Sequence, residues 1–150
     1  MGHTYLSHML HIIFSVKERR RLLTKETRER LFAYMIGIAR KNDMKILAVG
    51  GVEDHVHLLV SMPSSISLAE AAQRIKGVSS RWIHETFPAL QGFAWQEGYA
   101  AFSVSLSRMD RTVKYILGQE EHHKKVSFQE EFIAFLKAHK IEYDERYVWG

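Results

Sequence analysis

The stretch Glu53-Asp54-His55-Val56-His57-Leu58-Leu59-Val60 decides how the rest of the chain can be interpreted. Its β-branched and apolar residues favour a strand, in which residues two apart point to the same side of the sheet. His55 and His57 therefore share one face, and Val56 and Leu58 share the other. Two imidazoles on one rigid surface can form half of a metal site. They can equally be a pair of surface histidines on an exposed sheet face.

The segments around this strand alternate between strand and helix patterns. Ser67 and Ser127 each precede a glutamate by three residues, which is the capping-box signature of a helix start. Gly50-Gly51 is expected to form a bend, so that the second and third strands make a hairpin. Strands are predicted at Tyr5 to Val16, Lys45 to Val49 and Tyr99 to Leu106, and helices from Thr24 to about Asn42, from Ser67 to Phe87, from Ser107 to about Lys124 and from Ser127 onward.

The order strand, helix, strand, strand, helix, strand is that of the split βαβ, ferredoxin-like arrangement. It predicts an α+β fold with an antiparallel sheet and two helices on one face. The Val56 and Leu58 side of the third strand should pack under those helices, and the histidine side should face away from them. The third helix is then expected to lie on that open side or at an edge, where its residues come within reach of the histidines.

Composition and charge exclude several classes of protein. The 150 residues include no cysteine, which rules out disulfides, thiolate zinc sites and cysteine nucleophiles. A single domain spanning residues 1–150 is expected. No apolar run reaches the roughly 18 residues of a membrane span, and no signal peptide is recognised, so we expect a cytoplasmic protein without membrane contact. The formal charge of +4 and the pI of about 9.4 favour a polyanion as partner without establishing one.

A second group of polar residues lies on the predicted third helix. Tyr115 and Gln119 are four residues apart and share a helix face. A phenol offers a nucleophilic oxygen, and a carboxamide oxygen can ligate a metal or accept a hydrogen bond. Taken alone, Tyr115 is explained as well by a half-buried aromatic ring with a solvated hydroxyl, and Gln119 by a surface position.

Both groups of residues resemble motifs of one family. Asp54 to Val60 resembles the HUH motif (histidine, hydrophobic residue, histidine) of nucleases that act on single-stranded DNA. Lys114-Tyr115-Ile116-Leu117-Gly118-Gln119 is similar to the tyrosine helix of the insertion-sequence-200-like, single-tyrosine HUH transposases of small bacterial insertion sequences. The similarity covers the chain from about Tyr5 to Phe135, through His11 to Lys17, Lys76 to Arg81, Trp95 to Tyr99 and Ser103 to Ser105.

This resemblance implies a set of chemical roles. His55, His57 and Gln119 match the ligands of a divalent ion, Mg²⁺ or Mn²⁺, and Tyr115 matches the nucleophile. Attack on the scissile phosphate would give a covalent 5′-phosphotyrosine and a free 3′-hydroxyl. Because three ligands are thereby assigned, His122-His123 is placed outside the predicted metal site.

The resemblance also implies partners. The substrate would be single-stranded DNA with hairpin ends, cleaved and rejoined at the ends of an insertion sequence. The family is typically dimeric, and the tyrosine helix of one subunit can complete the site of the other. DNA-backbone contacts are expected from Lys76, Arg81 and Arg74 on the second helix and from Lys17 after the first strand. A solvated charged face explains the same four residues.

Three alternative functions fit parts of the sequence. One is a domesticated HUH nickase that processes repeated genomic hairpins or acts as a relaxase does. Another is a non-catalytic ferredoxin-like module that binds nucleic acid, although neither candidate strand has the aromatic spacing typical of such RNA binders. The third is a metal hydrolase with an HxH strand, but barrel enzymes of that kind need about 250 residues, more than this chain has.

Overall fold

The computed structural model describes residues 2–150, which form a four-stranded sheet with helices on both faces. Single 3₁₀ turns occupy Lys17–Arg19, Pro88–Leu90 and Leu106–Arg108. The strands are β1 (Met9–Ser15), β2 (Lys45–Val52), β3 (His55–Ser61) and β4 (Ala100–Val104), and the helices are α1 (Lys25–Lys41), α2 (Leu68–Thr86), α3 (Met109–Leu117), α4 (Gln119–His122) and α5 (Phe128–Ala138).

The strands pair in the order β2-β3-β1-β4, and every neighbouring pair is antiparallel. With α1 between β1 and β2 and α2 between β3 and β4, this is the ferredoxin-like split βαβ arrangement. The predicted α+β fold is therefore confirmed. Among residues 2–150, no helix combines the length and apolar character that a membrane crossing requires.

Helices α1, α2 and α5 begin where their capping residues predicted. The side chains of Thr24, Ser67 and Ser127 each accept a hydrogen bond from the backbone N–H three residues later. At Ser127 the capping box is reciprocal, because the Glu130 side chain accepts from the backbone N–H of Ser127. Each such cap stabilises its helix by about 1 kcal/mol.

One face of the sheet packs against α1 and α2. Ile12, Phe14, Val56 and Leu58 alternate along β1 and β3 and are fully buried there. Burial of each side chain of this size contributes about 1.5–3 kcal/mol. A slip of one residue would move the whole apolar set to the other face, so this packing fixes the direction in which the intervening histidines point.

The opposite face is covered as well. Ile116 of α3 clusters with Leu59 of β3, and Phe132 of α5 clusters with Ile13 of β1. The histidines of β3 point to this side, as predicted, but they lie beneath helices. The interpretation of an exposed surface pair is therefore wrong, and α5 covers this face together with the expected third helix.

Several element boundaries differ from the sequence-based ones. β1 begins at Met9, and the exposed residues 2–8 precede it. β2 runs through Gly50 and Gly51 to Val52, so no bend occurs there. The predicted third helix is two helices that are separated at Gly118. The backbone N–H of Gly118 donates to the carbonyls of Lys114 and Tyr115 at the end of α3, and α4 begins at the next residue. Glycine costs a helix interior about 1 kcal/mol relative to alanine.

Gly50 explains how closely α3 approaches β2. A Cβ atom at this position would overlap the backbone carbonyl of Ile116. The missing side chain therefore lets the helix backbone lie directly on the strand. This close approach sets the position of the neighbouring Tyr115 on the histidine side of the sheet.

The residues after α5 pack back onto the molecule. The Trp149 ring lies 6.4 Å from the Phe128 ring and 5.8 Å from the Phe132 ring, between centroids. The side-chain amide of Gln96 donates to the carbonyl of Gly150 at 2.8 Å. The last residues thus pack against the buried aromatic residues of α5.

Candidate metal centre and nucleophile

The two histidines of β3 lie side by side beneath the helices. Their ring centroids are 5.1 Å apart, and both side chains have no exposed surface. The turn Glu53-Asp54 starts β3 at His55, and the strand period carries His57 to the same side. A buried polar ring needs partners for its nitrogens, so the neighbours of each imidazole define what it can do.

Asp54 orients His55. Its Oδ1 atom lies 2.7 Å from His55 Nδ1, which leaves Nε2 directed into the cluster. Burial by itself lowers the pKa of His55, but the hydrogen bonds to Asp54 and Glu131 outweigh burial and raise that pKa. Burial raises the pKa of Asp54, but the hydrogen bond from His55 and the positive charges nearby together outweigh burial and lower that pKa. Carboxylate–histidine pairs of this kind orient imidazole ligands in metal sites.

His11 orients His57 from β1. Its Nε2 atom lies 2.8 Å from His57 Nδ1, and His57 Nε2 lies 2.8 Å from Glu131 Oε1. Burial lowers the pKa of His57 to about 4 and the pKa of His11 to about 3, so both rings are neutral at pH 7. Because a carboxylate only accepts, His57 Nε2 carries the proton and Nδ1 accepts from His11.

Gln119 reaches the histidines from the first residue of α4. Its Oε1 atom lies 3.2 Å from His55 Nε2 and 2.8 Å from His123 Nε2, and only 1% of the residue is exposed. The sequence predicted this proximity from the four-residue spacing to Tyr115. α4 begins at Gln119, directly after the break at Gly118, and this first side chain lies inside the cluster.

Tyr115 lies at the border of the same cluster. Its hydroxyl donates to Glu131 and lies 3.3 Å from His122 Nε2, and its ring centroid is 5.8 Å from that of His57. Burial and the neighbouring Glu131 carboxylate raise the pKa of the half-buried phenol well above its usual value. In this conformation the hydroxyl is therefore protonated and engaged by a carboxylate.

Glu131 of α5 is at the centre of the cluster, although it was not among the site residues predicted from the sequence. Its Oε1 atom contacts His57 and lies 3.4 Å from His55 Nε2, and its Oε2 atom lies 3.1 and 3.2 Å from the Nε2 atoms of His122 and His123. Burial raises the pKa of this carboxyl, but hydrogen bonds from three histidines outweigh burial and hold the pKa far below its usual range.

One signal could have revealed Glu131. It follows Phe128 by three residues and precedes Phe135 by four, so it lies on the apolar stripe of α5. A carboxylate on an apolar helix face is costly unless it is paired. The position of Glu131 on this stripe therefore indicated that its carboxylate has a buried partner, either a cationic side chain or a histidine. It did not indicate which residue that partner is.

The arrangement suits a divalent cation. His55, His57, His123 and Glu131 each offer a ligand atom, and these atoms lie within 4.8 Å of one another. Gln119 adds an amide oxygen in hydrogen-bond contact with His55 and His123. His123, which was expected to lie outside the metal site, therefore belongs to this cluster by its position. Three imidazoles with carboxylate and amide oxygens suit first-row ions such as Mn²⁺ better than Mg²⁺, which prefers oxygen ligands.

The four predicted DNA contacts have different surroundings. Lys17 and Arg81 are exposed. Arg74 is also exposed, but it donates to Asn42 at 2.8 Å and to Glu70 at 3.5 Å. Lys76 donates to the carbonyls of three consecutive residues, 96–98, at 2.6–3.0 Å. All three N–H bonds of that ammonium are therefore engaged in holding the loop before β4.

A sequence model of the IS200-like transposases matches residues 4–119. The chain therefore belongs to the IS200-like transposase family. The ISDra2 transposase TnpA of Deinococcus radiodurans is 28% identical over 116 residues, which cover 74% of this chain and 83% of that protein. The transposase of the insertion sequence element IS200 from Salmonella typhimurium is 24% identical over 134 residues, covering 85% of this chain and 88% of that protein.

Solved structures of two transposases have the same fold. A crystal structure described as a transposase from Deinococcus radiodurans R1 superposes with a TM-score of 0.65 at 26% identity, covering 77% of this chain and 94% of that one. A REP-associated tyrosine transposase bound to a REP hairpin superposes with a TM-score of 0.62 at 17% identity, covering 84% and 74%. The second comparison supports the fold alone.

The family match ends at residue 119. Gln119 is its last matched residue, and His122, His123 and Glu131 follow it in the chain. Part of the candidate metal centre is therefore supplied by a segment that lies beyond the matched region.

Proposed function

We propose that this chain is a transposase that cleaves and rejoins single-stranded DNA through a covalent 5′-phosphotyrosine on Tyr115. The observation that carries the proposal is the position of the Tyr115 hydroxyl, which contacts the cluster of imidazole, amide and carboxylate groups. Family membership gives the class of protein. The nucleophile and ligand roles rest on this juxtaposition.

The proposed reaction is a reversible exchange of esters. The Tyr115 oxygen attacks phosphorus, the bond from phosphorus to the 3′-oxygen breaks, and the 3′-oxygen leaves as a hydroxyl after taking up a proton. The 5′-phosphate stays on the tyrosine. A phenol, with a reference pKa of about 10, is a better leaving group than an aliphatic alcohol, so the 3′-hydroxyl of another strand can reverse the step without an external energy source.

Residues of the cluster have distinct proposed roles. His55, His57 and Gln119 would hold Mg²⁺ or Mn²⁺, with His123 as a further ligand. The bound ion would offset the negative charge that develops on the phosphate. His122 Nε2, 3.3 Å from the Tyr115 hydroxyl, is a base within reach of the phenol proton. Asp54 and His11 keep the ligand imidazoles in orientation.

The proposed substrate is DNA with a hairpin and a single-stranded flank. One structural neighbour is a tyrosine transposase bound to a REP hairpin, and the net charge of +4 suits a polyanion. Lys17, Arg81 and Arg74 are exposed and available for phosphate contacts. Because the substrate is cellular DNA, we expect the protein to act in the cytoplasm of a bacterial or archaeal cell.

The proposal is tested with a 3′-labelled single-stranded oligonucleotide that carries a hairpin, in the presence of Mn²⁺. A denaturing gel should show label attached to the protein for the wild type and for Tyr147→Phe, whose tyrosine is 71% exposed and lies outside the cluster. Tyr115→Phe and His57→Ala should give no adduct. An adduct formed by Tyr115→Phe, or equal cleavage of a matched duplex, would refute the proposal.

A further inference from the structure

The central groups of the cluster that the proposed function uses are shielded from solvent. Its β3 histidines have no exposed surface, Gln119 is 1% exposed and Glu131 is 3% exposed. The proposed reaction requires a phosphodiester to lie between the ligand imidazoles and the Tyr115 hydroxyl. A strand of DNA cannot enter that space while α5 covers it.

Glu131 occupies the space in the manner of a phosphate. One of its oxygens faces His55 and His57, and the other accepts from the Tyr115 hydroxyl. A scissile phosphodiester needs the same two positions: a non-bridging oxygen beside the ligand imidazoles and the phosphorus beside the tyrosine oxygen. Both groups are anions with two oxygens that accept hydrogen bonds.

Aromatic contacts hold α5 in this position. The Phe128 ring stacks on His55 at 4.3 Å, and the Phe135 ring meets the Tyr115 ring edge to face at 5.7 Å, between centroids. Phe135 also stacks on Phe102 of β4 at 5.3 Å. These contacts are made by a short helix that begins at its own cap, Ser127, and follows the turn after α4. The helix can therefore leave the sheet without breaking any strand pairing.

The position of α5 in the sequence is consistent with a separable element. The family match ends at residue 119, before α5 begins. The matched part includes β3, Tyr115 and Gln119, which supply the proposed nucleophile and three of the proposed metal ligands. Glu131 therefore reaches the centre of the site from outside the matched fold.

Resting on the function proposed above, we propose that α5 is an autoinhibitory element in which Glu131 takes the place of the scissile phosphate. Single-stranded DNA and α5 compete for one space, so DNA binding displaces the helix. The competing interpretation makes Glu131 a permanent ligand of the cation. The two interpretations predict opposite effects when the carboxylate is removed.

The test compares Glu131→Ala with Glu130→Gln. Glu130 is the adjacent exposed residue, and glutamine preserves its capping box. Binding of a fluorescent hairpin oligonucleotide with a single-stranded flank is measured in a Tyr115→Phe background. Glu131→Ala should bind at least five-fold more tightly than its parent, and Glu130→Gln should match the parent. Binding of Mn²⁺ alone should be retained by Glu131→Ala.

Hydrogen–deuterium exchange of the otherwise unmodified protein gives a second readout. Adding the oligonucleotide should raise exchange in residues 128–138, while exchange in α2 stays unchanged. Parallel loss of Mn²⁺ and DNA binding in Glu131→Ala, or an α5 that stays protected when DNA is bound, would overturn the inference and leave the proposed function standing. Failure of the wild type to bind the oligonucleotide and form an adduct would refute both.

Discussion

The Nε2 atom of His11 lies 2.8 Å from the Nδ1 atom of His57, so a residue of β1 sets the orientation of an imidazole on β3. His11 does not belong to the group of converging ligands, yet it determines which nitrogen of His57 points toward the cluster. The candidate site therefore depends on His11, which makes no hydrogen bond to the Tyr115 hydroxyl or to the Glu131 carboxylate.

Replacing His11 by Phe should therefore weaken the metal centre without removing a ligand. Loss of an orienting partner typically costs about 10- to 100-fold in metal affinity, and the slightly larger phenyl ring keeps the buried space filled. Titration of the metal-free protein with Mn²⁺, followed by electron paramagnetic resonance, measures the affinity. His139→Phe serves as the control, and an unchanged affinity in His11→Phe would mean that His57 needs no orienting partner.

Each chain holds a complete set of groups, because the Tyr115 ring lies 5.8 Å from the His57 ring of the same chain. A mixture of Tyr115→Phe and His57→Ala proteins should therefore remain inactive in the adduct assay. If the protein is a dimer that completes its sites between subunits, the mixture should instead recover adduct formation. Size-exclusion chromatography with light scattering reports the oligomeric state of the same samples.

The stability of the metal-free protein should fall as the pH is lowered from about 7 to about 5. Burial lowers the pKa of His57 to about 4 and that of His11 to about 3, from 6.5 in the unfolded chain. Between these values the unfolded state binds more protons, so acid favours unfolding.

His55 opposes this trend, because Asp54 and Glu131 raise its pKa against the effect of burial. It is a single group, whereas His11 and His57 both favour unfolding in acid. Urea unfolding in the presence of a chelator measures the free energy of unfolding at each pH. His57→Asn should make the free energy of unfolding depend less on pH. A free energy of unfolding that increases as the pH is lowered from 7 to 5 would contradict a neutral His11–His57 pair.

Gly50→Ala should displace α3 and reduce adduct formation, because the new Cβ would meet the carbonyl of Ile116. Thermal unfolding and the adduct assay measure the two effects. Gly37→Ala is the matched control, since a Cβ there meets nothing within 4 Å in the middle of α1. The control should gain up to about 1 kcal/mol of stability; equal behaviour of both variants would show that α3 does not depend on the glycine.

Variants of Lys76 and Arg81 should distinguish a structural role from a DNA-binding role on α2. Lys76→Met removes hydrogen bonds to three carbonyls, and should lower the free energy of unfolding by about 1–3 kcal/mol. Arg81→Ala should leave stability unchanged and reduce the dependence of DNA affinity on salt by about one phosphate contact. Fluorescence anisotropy at several salt concentrations makes the comparison, and the reverse pattern would exchange the two roles.

The parts of the site that could be predicted from sequence follow from local periodicity. The two-residue period placed His55 and His57 on one face, and the four-residue spacing brought Gln119 along with Tyr115. The capping pattern at Ser127 located the start of α5. In each case the relevant atoms are fixed by neighbours that are close in sequence.

The rest depends on how distant elements dock. Glu131 meets His57 across 74 positions in the chain, and no local pattern specifies on which face of the sheet α5 comes to lie. His123 ends α4, and it enters the cluster only through the docking of that helix onto the histidine side of the sheet. The hydrogen bonds of Lys76 could not be predicted for the same reason, since the loop that accepts them is 20 to 22 positions away.

Trp149 gives the molecule an optical reporter of its own. The chain has three tryptophans; Trp95 is buried in the core on the α1 and α2 side of the sheet, and Trp82 of α2 packs against that core. Only the indole of Trp149 rests on Phe128 and Phe132. Lifting α5 would change the emission of this one ring, so stopped-flow fluorescence could follow the opening of unlabelled protein in real time.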